Sequence, residues 1–359
     1  MDRNTTQRVE PPDDDLPLSP VEMAAHMAHM FAGRKPTPEM GEVLDMLQSL
    51  HGKPIAELDA KEARKQPTPA DAVKKLLEER GENTDPEDVG SIDNRKIAGP
   101  AGDIHIRIYK PASAREGRTL PVVLYIHGGG WVIADLDTYD SSARAVCNAA
   151  HCIVVSTEYR HGPEHRYPAA HDDTFAAYKW TLANARDLGG DPARVAVVGE
   201  SAGGNMAAGV CMRARDEGVQ LPVYQVLVYP VAGYDFETES YREMTNAIPL
   251  NSQMMRWFLD NYLGKASDGQ LPAISLDHAD LSGLPPVTIV SAELDPLRSE
   301  GEALARRFQS AGVATEQRTY NGVTHEFFGM GDVLQEAEDA VLFGAMGLLR
   351  AFGTAAPAT

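Results

Sequence analysis

Gly199-Glu200-Ser201-Ala202-Gly203 is a G-x-S-x-G sequence that separates two segments of different character. Residues 194–198 before it are mostly apolar and β-branched, which is typical of a buried parallel strand, and residues 206–215 after it have helical composition. A strand, a sharp turn and a helix around a serine predict a nucleophile elbow, which holds the serine oxygen clear of the sheet. The same five residues could form a glycine-rich loop with a chance serine, so the interpretation depends on partners elsewhere in the chain.

Three further segments supply such partners, each after a stretch that resembles a strand. The run 120–126 leads into His127-Gly128-Gly129-Gly130-Trp131, whose glycines allow the backbone to present bare N–H groups. The run 286–292 leads to Asp295, and the run 317–320 leads to His325. Open α/β sheets carry their sites at the carboxyl ends of the strands, and the order Ser, Asp, His is that of α/β-hydrolases.

Taken together, these motifs resemble the esterases of the hormone-sensitive lipase family. The matching stretches are residues 127–131, the elbow at Ser201, residues 159–170, residues 295–298 and residues 322–327. The resemblance extends over roughly residues 85 to 350. It implies an α/β fold of the α/β-hydrolase type, a mostly parallel eight-stranded sheet with helices on both faces and a helical cap. The chain departs from the usual family pattern at Glu200, His161-Gly162 and Ser299.

The catalytic residues predicted from these motifs are Ser201, His325 and Asp295. A serine hydroxyl is a weak nucleophile at neutral pH and requires a base, for which histidine is the best suited side chain. The aspartate would then orient the imidazole and stabilise its cation. Glu293 is a competing acid, but it would project from the strand if that strand continues to Leu294.

The predicted oxyanion hole consists of the backbone N–H groups of Gly129, Gly130 and Ala202, a choice that follows the family resemblance. We expect no cofactor and no metal. One cluster of residue types resembles a metal site: His161, His165, His171, Asp172 and Asp173. Prolines at positions 163 and 168 interrupt any helical His-x-x-x-His face, so we assign these residues a structural role.

Composition excludes several classes of partner. The 359 residues carry a formal net charge of −19, which argues against nucleic acid or an anionic membrane surface. No apolar run is long enough to span a bilayer. The three cysteines have no metal-like spacing, and the start of the chain does not resemble a secretory signal, so we expect a cytoplasmic protein.

The predicted organisation is a core divided by a second cap segment. A loose arm over residues 1–17 is followed by a helix that begins after Ser19. The predicted units are an N-terminal arm and cap helices over 1–85, the first part of the catalytic core over 86–231, a second cap segment over 232–272, and the second part of the core with the C-terminal tail over 273–359. The resemblance also implies a possible homodimer.

The predicted function is that of a serine carboxylesterase, which hydrolyses short-to-medium acyl esters of small molecules through an acyl-enzyme intermediate. The same chemistry could serve amides or lactones, and the sequence does not decide between them. A ligand-binding protein that uses a hydrolase fold without turnover is the alternative from another class, since a fold does not dictate its function.

Overall fold

The computed structural model describes residues 30–114 and 117–354, which form an eight-stranded sheet. The strand order is β1-β2-β4-β3-β5-β6-β7-β8. Strand β2 runs antiparallel to β1 and β4, and the remaining neighbours are parallel. The predicted α/β fold is therefore confirmed. The strands are β1 (Ser91–Gly99), β2 (Gly102–Lys110), β3 (Leu120–Ile126), β4 (Ile153–Thr157), β5 (Gly190–Glu200), β6 (Gln225–Val228), β7 (Val287–Leu294) and β8 (Thr315–Thr324).

Helices cover both faces of this sheet, as the continuous apolar strands predict. In β3, Val122 and Leu124 pack into the apolar cluster on one face, and Val123 and Tyr125 pack into the cluster on the other. The described residues contain ten α-helices: α1 (Pro38–Ser49), α2 (Ala60–Ala63), α3 (Pro69–Arg80), α4 (Asp140–Ala149), α5 (Ala169–Asn184), α6 (Ala202–Glu217), α7 (Glu239–Glu243), α8 (Ser252–Tyr262), α9 (Arg298–Ser310) and α10 (Gln335–Phe352). Among the described residues, no helix combines the length and apolar character that crossing a membrane requires.

The helices before the sheet begin at clear capping residues. Thr68 and Asp71 form a reciprocal capping box at the start of α3, and Gly81 ends this helix in a left-handed conformation with φ 68°. The helical composition of residues 55–66 does not give one continuous helix. Leu58 is extended and Asp59 caps the short α2 by accepting from the Glu62 N–H at 2.9 Å, so the segment divides into a 3₁₀ turn at Ile55–Glu57 and α2. The predicted arm over 1–17 and the helix after Ser19 lie outside the described residues.

The segment between β6 and β7 contacts the N-terminal helices. It contains α7, α8 and a 3₁₀ turn at Ala266–Gln270. Asn251 caps α8 by accepting a hydrogen bond from the Met254 N–H at 2.9 Å. The indole N–H of Trp257 on this helix donates to the Leu58 carbonyl at 3.0 Å. The two segments predicted as cap thus contact each other.

Candidate active site

Ser201 occupies a strained turn between β5 and α6. Its backbone has φ 57° and ψ −119°, a conformation that a residue with a side chain adopts only when its surroundings enforce it. The turn is tight: a Cβ on Gly203 would lie 2.0 Å from the Ile126 carbonyl oxygen, and a Cβ on Gly199 would lie 2.1 Å from the Gly203 carbonyl oxygen. Both glycines are therefore required by close backbone contact.

The structure brings Ser201, His325 and Asp295 together at the carboxyl ends of β5, β8 and β7. The His325 Nε2 lies 2.9 Å from the Ser201 Oγ, and the His325 Nδ1 lies 2.7 Å from the Asp295 Oδ2. The other carboxylate oxygen of Asp295 accepts from the Leu297 N–H at 2.8 Å. All three side chains are buried. The aspartate is thus fixed by the backbone that follows β7, and it in turn orients the imidazole.

The carboxylates of this site raise the proton affinity of the imidazole. Burial is the largest effect and acts to lower the pKa of His325, but the charge and hydrogen bond of Asp295, together with the charges of Glu326 and Glu200, hold the pKa above its usual value. The competing acid lies elsewhere. Glu293 accepts from the Arg34 guanidinium and from the Gly322 N–H, each at 2.8 Å, and faces away from the imidazole.

The glycine loop after β3 presents N–H groups beside Ser201. Gly129 and Gly130 have φ values of +90° and +59°, and the Gly129 carbonyl accepts from the N–H groups of Val132 and Ile133, which closes a tight turn. Ala202 is the first residue of α6, where N–H groups have no partner within the helix. Within the ranges that the structure describes, the N–H groups of Gly129, Gly130 and Ala202 donate to no other group.

Two interacting carboxyl groups, the buried Glu200 and the partly exposed Glu326, lie close to the serine and the imidazole. Glu200 accepts hydrogen bonds from the hydroxyls of Tyr125 and Tyr229. Burial, with the nearby carboxylate of Glu326, raises the pKa of Glu200 to about 7. Glu326 accepts from the Tyr139 hydroxyl at 2.6 Å, and burial raises its pKa. Its position next to His325 was the only sequence signal for this second carboxyl.

A cavity of about 550 Å³ opens in front of the serine. It is lined by Gly129, Gly130, Ser201 and His325 from the core, together with residues of both segments predicted as cap. The segments contribute mostly apolar side chains, including Leu47, Ile55, Leu250, Met254, Met255 and Phe258. A cavity of this size and lining can enclose a small, largely apolar molecule.

The five residues that resembled a metal cluster in sequence do not form one group. His171 lies 2.7 Å from the Tyr262 hydroxyl, Asp172 pairs with Arg213, and Asp173 pairs with Arg160. His165 is exposed. His161 lies instead beside His127 and Glu158, a neighbourhood that the sequence spacing did not indicate.

The fold and this geometry agree with the family to which the chain is related. A family model described as alpha/beta hydrolase fold matches residues 123–329, and the chain belongs to this family, of the hormone-sensitive lipase type.

The relatives found by sequence and structure include several ester hydrolases. Carboxylesterase NlhH of Mycobacterium tuberculosis is 42% identical over 69% of this chain and 79% of its own length. An ethyl acetate hydrolase of Pseudomonas putida is 30% identical over 91% of this chain and 97% of its own length. Among solved structures, an ester hydrolase from the metagenome of Lake Arreo, in complex with a derivative of bipyridine phosphonate, is 37% identical with a TM-score of 0.79 and covers 89% of this chain and 100% of that one.

Proposed function

We propose that the protein is a serine carboxylesterase that hydrolyses short-to-medium acyl esters through an acyl-enzyme intermediate. The observation that carries the proposal is the chain of contacts from Asp295 through His325 to the Ser201 Oγ, at 2.7 and 2.9 Å, beside unpaired N–H groups. The esterase relatives support the same class of reaction.

In the first half of the proposed reaction, the Ser201 Oγ attacks the ester carbonyl carbon while the His325 Nε2 accepts its proton. Asp295 keeps the other ring nitrogen protonated and stabilises the imidazolium that forms. The carbonyl oxygen becomes an oxyanion, which the N–H groups of Gly129, Gly130 and Ala202 would bind. The C–O bond to the alcohol then breaks, and the alcohol leaves with the proton from His325.

The second half of the reaction repeats these steps with water. His325 removes a proton from water, and the resulting hydroxide attacks the acyl carbon in the same oxyanion site. The C–O bond to Ser201 breaks, the Oγ regains the proton from His325, and the carboxylic acid leaves. Atoms and charge balance without a metal or a second substrate other than water.

The size and lining of the cavity in front of Ser201 support the proposed preference for short-to-medium acyl groups. Side chains from the N-terminal helices and from residues 232–272 narrow the space in front of Ser201 and cover it with apolar surface. We assign these two segments the role of a cap that selects substrate shape. The Pseudomonas relative is named for a short ester, which is consistent with a small acyl site.

A homodimer remains a prediction from the family resemblance.

Hydrolysis of p-nitrophenyl esters from acetyl to palmitoyl, with Ser201→Ala as the matched variant, tests this proposal. The expected result is highest kcat/KM for short chains and its loss in the variant. Activity that rises toward palmitoyl would contradict the small acyl site. Turnover of amides or lactones with no ester hydrolysis, or bound ligand without any turnover, would replace the esterase assignment.

A further inference from the structure

A second group of reactive side chains lies behind the glycine loop. His127, Glu158 and His161 each offer a ligand atom, and these atoms all lie within 4.8 Å of one another. We call these three residues the His–Glu–His cluster. His127 precedes the glycine loop after β3, and the other two follow β4. None of the three lines the cavity in front of Ser201, so the cluster is separate from the proposed ester site.

The surroundings of His127 leave one ring nitrogen free to bind a cation. Its Nδ1 lies 3.0 Å from the Gly128 carbonyl oxygen, which can only accept, so this nitrogen carries a proton. The Nε2 of a neutral ring then has a lone pair. The ring also stacks on Tyr159, with centroids 4.4 Å apart. A backbone hydrogen bond on the remote nitrogen and a packed ring are the usual support of a metal-binding histidine.

Polar atoms that point into the cluster have no hydrogen-bond partner. Among the described residues, neither the Nε2 of His127 nor the Nε2 of His161 is hydrogen-bonded, although both are buried. The Oε1 of Glu158 accepts from the Leu136 N–H at 2.9 Å, whereas its Oε2 lies 3.4 Å from the His127 Nε2. Buried polar atoms are nearly always satisfied, so orphaned atoms that converge on one point indicate a missing partner.

We propose that the His–Glu–His cluster binds Zn²⁺ or a chemically similar divalent transition metal. Two imidazoles and one carboxylate are a zinc ligand set, which leaves a fourth position for water, whereas Mg²⁺ and Ca²⁺ prefer oxygen ligands. Zinc bonds of about 2.0–2.1 Å require ligand atoms about 3.4 Å apart. The His127–Glu158 pair, at 3.4 Å, meets this separation, and the ligand atom of His161 lies within 4.8 Å of both.

The cluster is accessible from the surface. Glu158 lines an open depression together with His105 and Leu136. A metal bound there would join the glycine loop to the loop after β4, which are already linked by the hydrogen bond from the Gly162 N–H to the Trp131 carbonyl at 2.9 Å. The metal would therefore stabilise the folded protein without contacting substrate.

Metal titration of the full chain without an affinity tag tests this inference. Zn²⁺ is titrated against a chromophoric chelator, and Co²⁺ binding is followed by visible absorption. We expect one equivalent of Zn²⁺, a higher melting temperature with the metal, and intense absorption from tetrahedral Co²⁺. His161→Leu removes one ligand and should weaken Zn²⁺ binding by more than about 100-fold, since loss of even indirect support costs about 10–100-fold.

His165→Leu is the matched control, because His165 is exposed and lies four residues further along the chain. Glu158→Gln, which keeps an acceptor for the Leu136 N–H, should also weaken binding. Equal Zn²⁺ uptake by the wild type and His161→Leu would overturn the proposal. Absence of stoichiometric uptake by the folded wild type would also overturn it and leave the cluster as an ion pair between His127 and Glu158. Neither result depends on ester hydrolysis.

Discussion

The proton affinity of His325 is set by burial and by the opposing effect of nearby carboxylates, first among them Asp295. Burial disfavours the imidazolium, yet the carboxylate at 2.7 Å raises the pKa of His325 above its usual value. A general base must be neutral to accept a proton from serine. The proposed esterase therefore loses activity as the pH falls through the pKa of His325, and this loss begins at a higher pH than it would for an isolated histidine.

Asp295→Asn tests the contribution of this carboxylate. Without it, burial is opposed only by the weaker effects of other carboxylates, including Glu326 and Glu200, so the pKa of His325 falls and the acidic limb of kcat/KM moves to lower pH. The maximal kcat should fall by about 10⁴-fold, because the amide no longer favours the correct tautomer or stabilises the cation. Both quantities are obtained from steady-state rates between pH 4 and pH 9.

Glu293→Gln is the control for this change. Glu293 lies two residues before Asp295 but contacts Arg34 and Gly322 rather than the imidazole. We expect its pH profile to match that of the wild type. If Glu293→Gln and not Asp295→Asn reduced kcat by orders of magnitude, the assignment of the acid would be wrong.

The turn between β5 and α6 depends on the absence of side chains at two positions. Gly203→Ala would place a Cβ 2.0 Å from the Ile126 carbonyl, and backbone cannot move as a flexible side chain can. We expect this variant to unfold at a lower temperature and to lose hydrolysis, because Ser201 can no longer keep its position. Thermal unfolding followed by circular dichroism, together with ester hydrolysis, measures both effects.

Gly209→Ala is the matched control in the same helix. A Cβ there would meet only the His171 ring at 3.6 Å, an ordinary contact. Alanine is favoured over glycine in a helix interior by about 1 kcal/mol, so this variant should be as stable as the wild type or more stable. A Gly203→Ala protein as stable and active as Gly209→Ala would contradict the tight turn.

Local signals explain which elements the sequence could predict. The bounds of α3 follow from Thr68, Asp71 and Gly81, whose capping interactions are decided within a few residues. The segment 55–66 is not one continuous helix, because Asp59 forms a new cap inside an otherwise helical composition. The contact of Trp257 with Leu58 joins residues 199 positions apart, and sequence spacing cannot indicate such a contact.

The residues of the candidate sites also differ in how far the sequence could predict their positions. Ser201, Asp295 and His325 could be predicted because each follows a strand of one parallel sheet, and the topology then brings strand ends together. His127 and Glu158 of the His–Glu–His cluster likewise follow neighbouring parallel strands, so the topology brings them together as well. The place of His161 could not be predicted, because it depends on the conformation of the loop after β4. His161 departs from the usual family pattern, but its nearest histidines in sequence, His165 and His171, do not contribute ligand atoms to the cluster.

At the scale of the whole molecule, buried carboxyl groups make stability depend on pH. Burial raises the pKa of Glu200 from its ordinary 4.5 to about 7, so the folded protein binds this proton more tightly than the unfolded chain does. The free energy of unfolding therefore falls as the pH rises from about 4.5 to about 7. The difference between the two pKa values corresponds to roughly 3 kcal/mol.

Glu200→Gln should remove this contribution. The amide cannot ionise and still offers an oxygen to Tyr125 or Tyr229, so the variant should gain stability relative to the wild type between pH 4.5 and pH 8. Urea unfolding at several pH values measures this gain. Exposed Glu57→Gln serves as the control for the loss of one negative charge from a chain that carries −19. Parallel stability curves for the wild type and Glu200→Gln would contradict the raised pKa.

The central claim is that Ser201 is the nucleophile of an esterase, and covalent trapping tests it most directly. A fluorophosphonate loses fluoride when an activated serine oxygen attacks its phosphorus, and the resulting adduct is stable enough for mass spectrometry of the intact protein and its peptides. We predict one adduct per chain, on the peptide that contains Ser201, with loss of ester hydrolysis in proportion to labelling and no adduct in Ser201→Ala. Labelling of a different residue, or full hydrolysis by the labelled protein, would contradict the account.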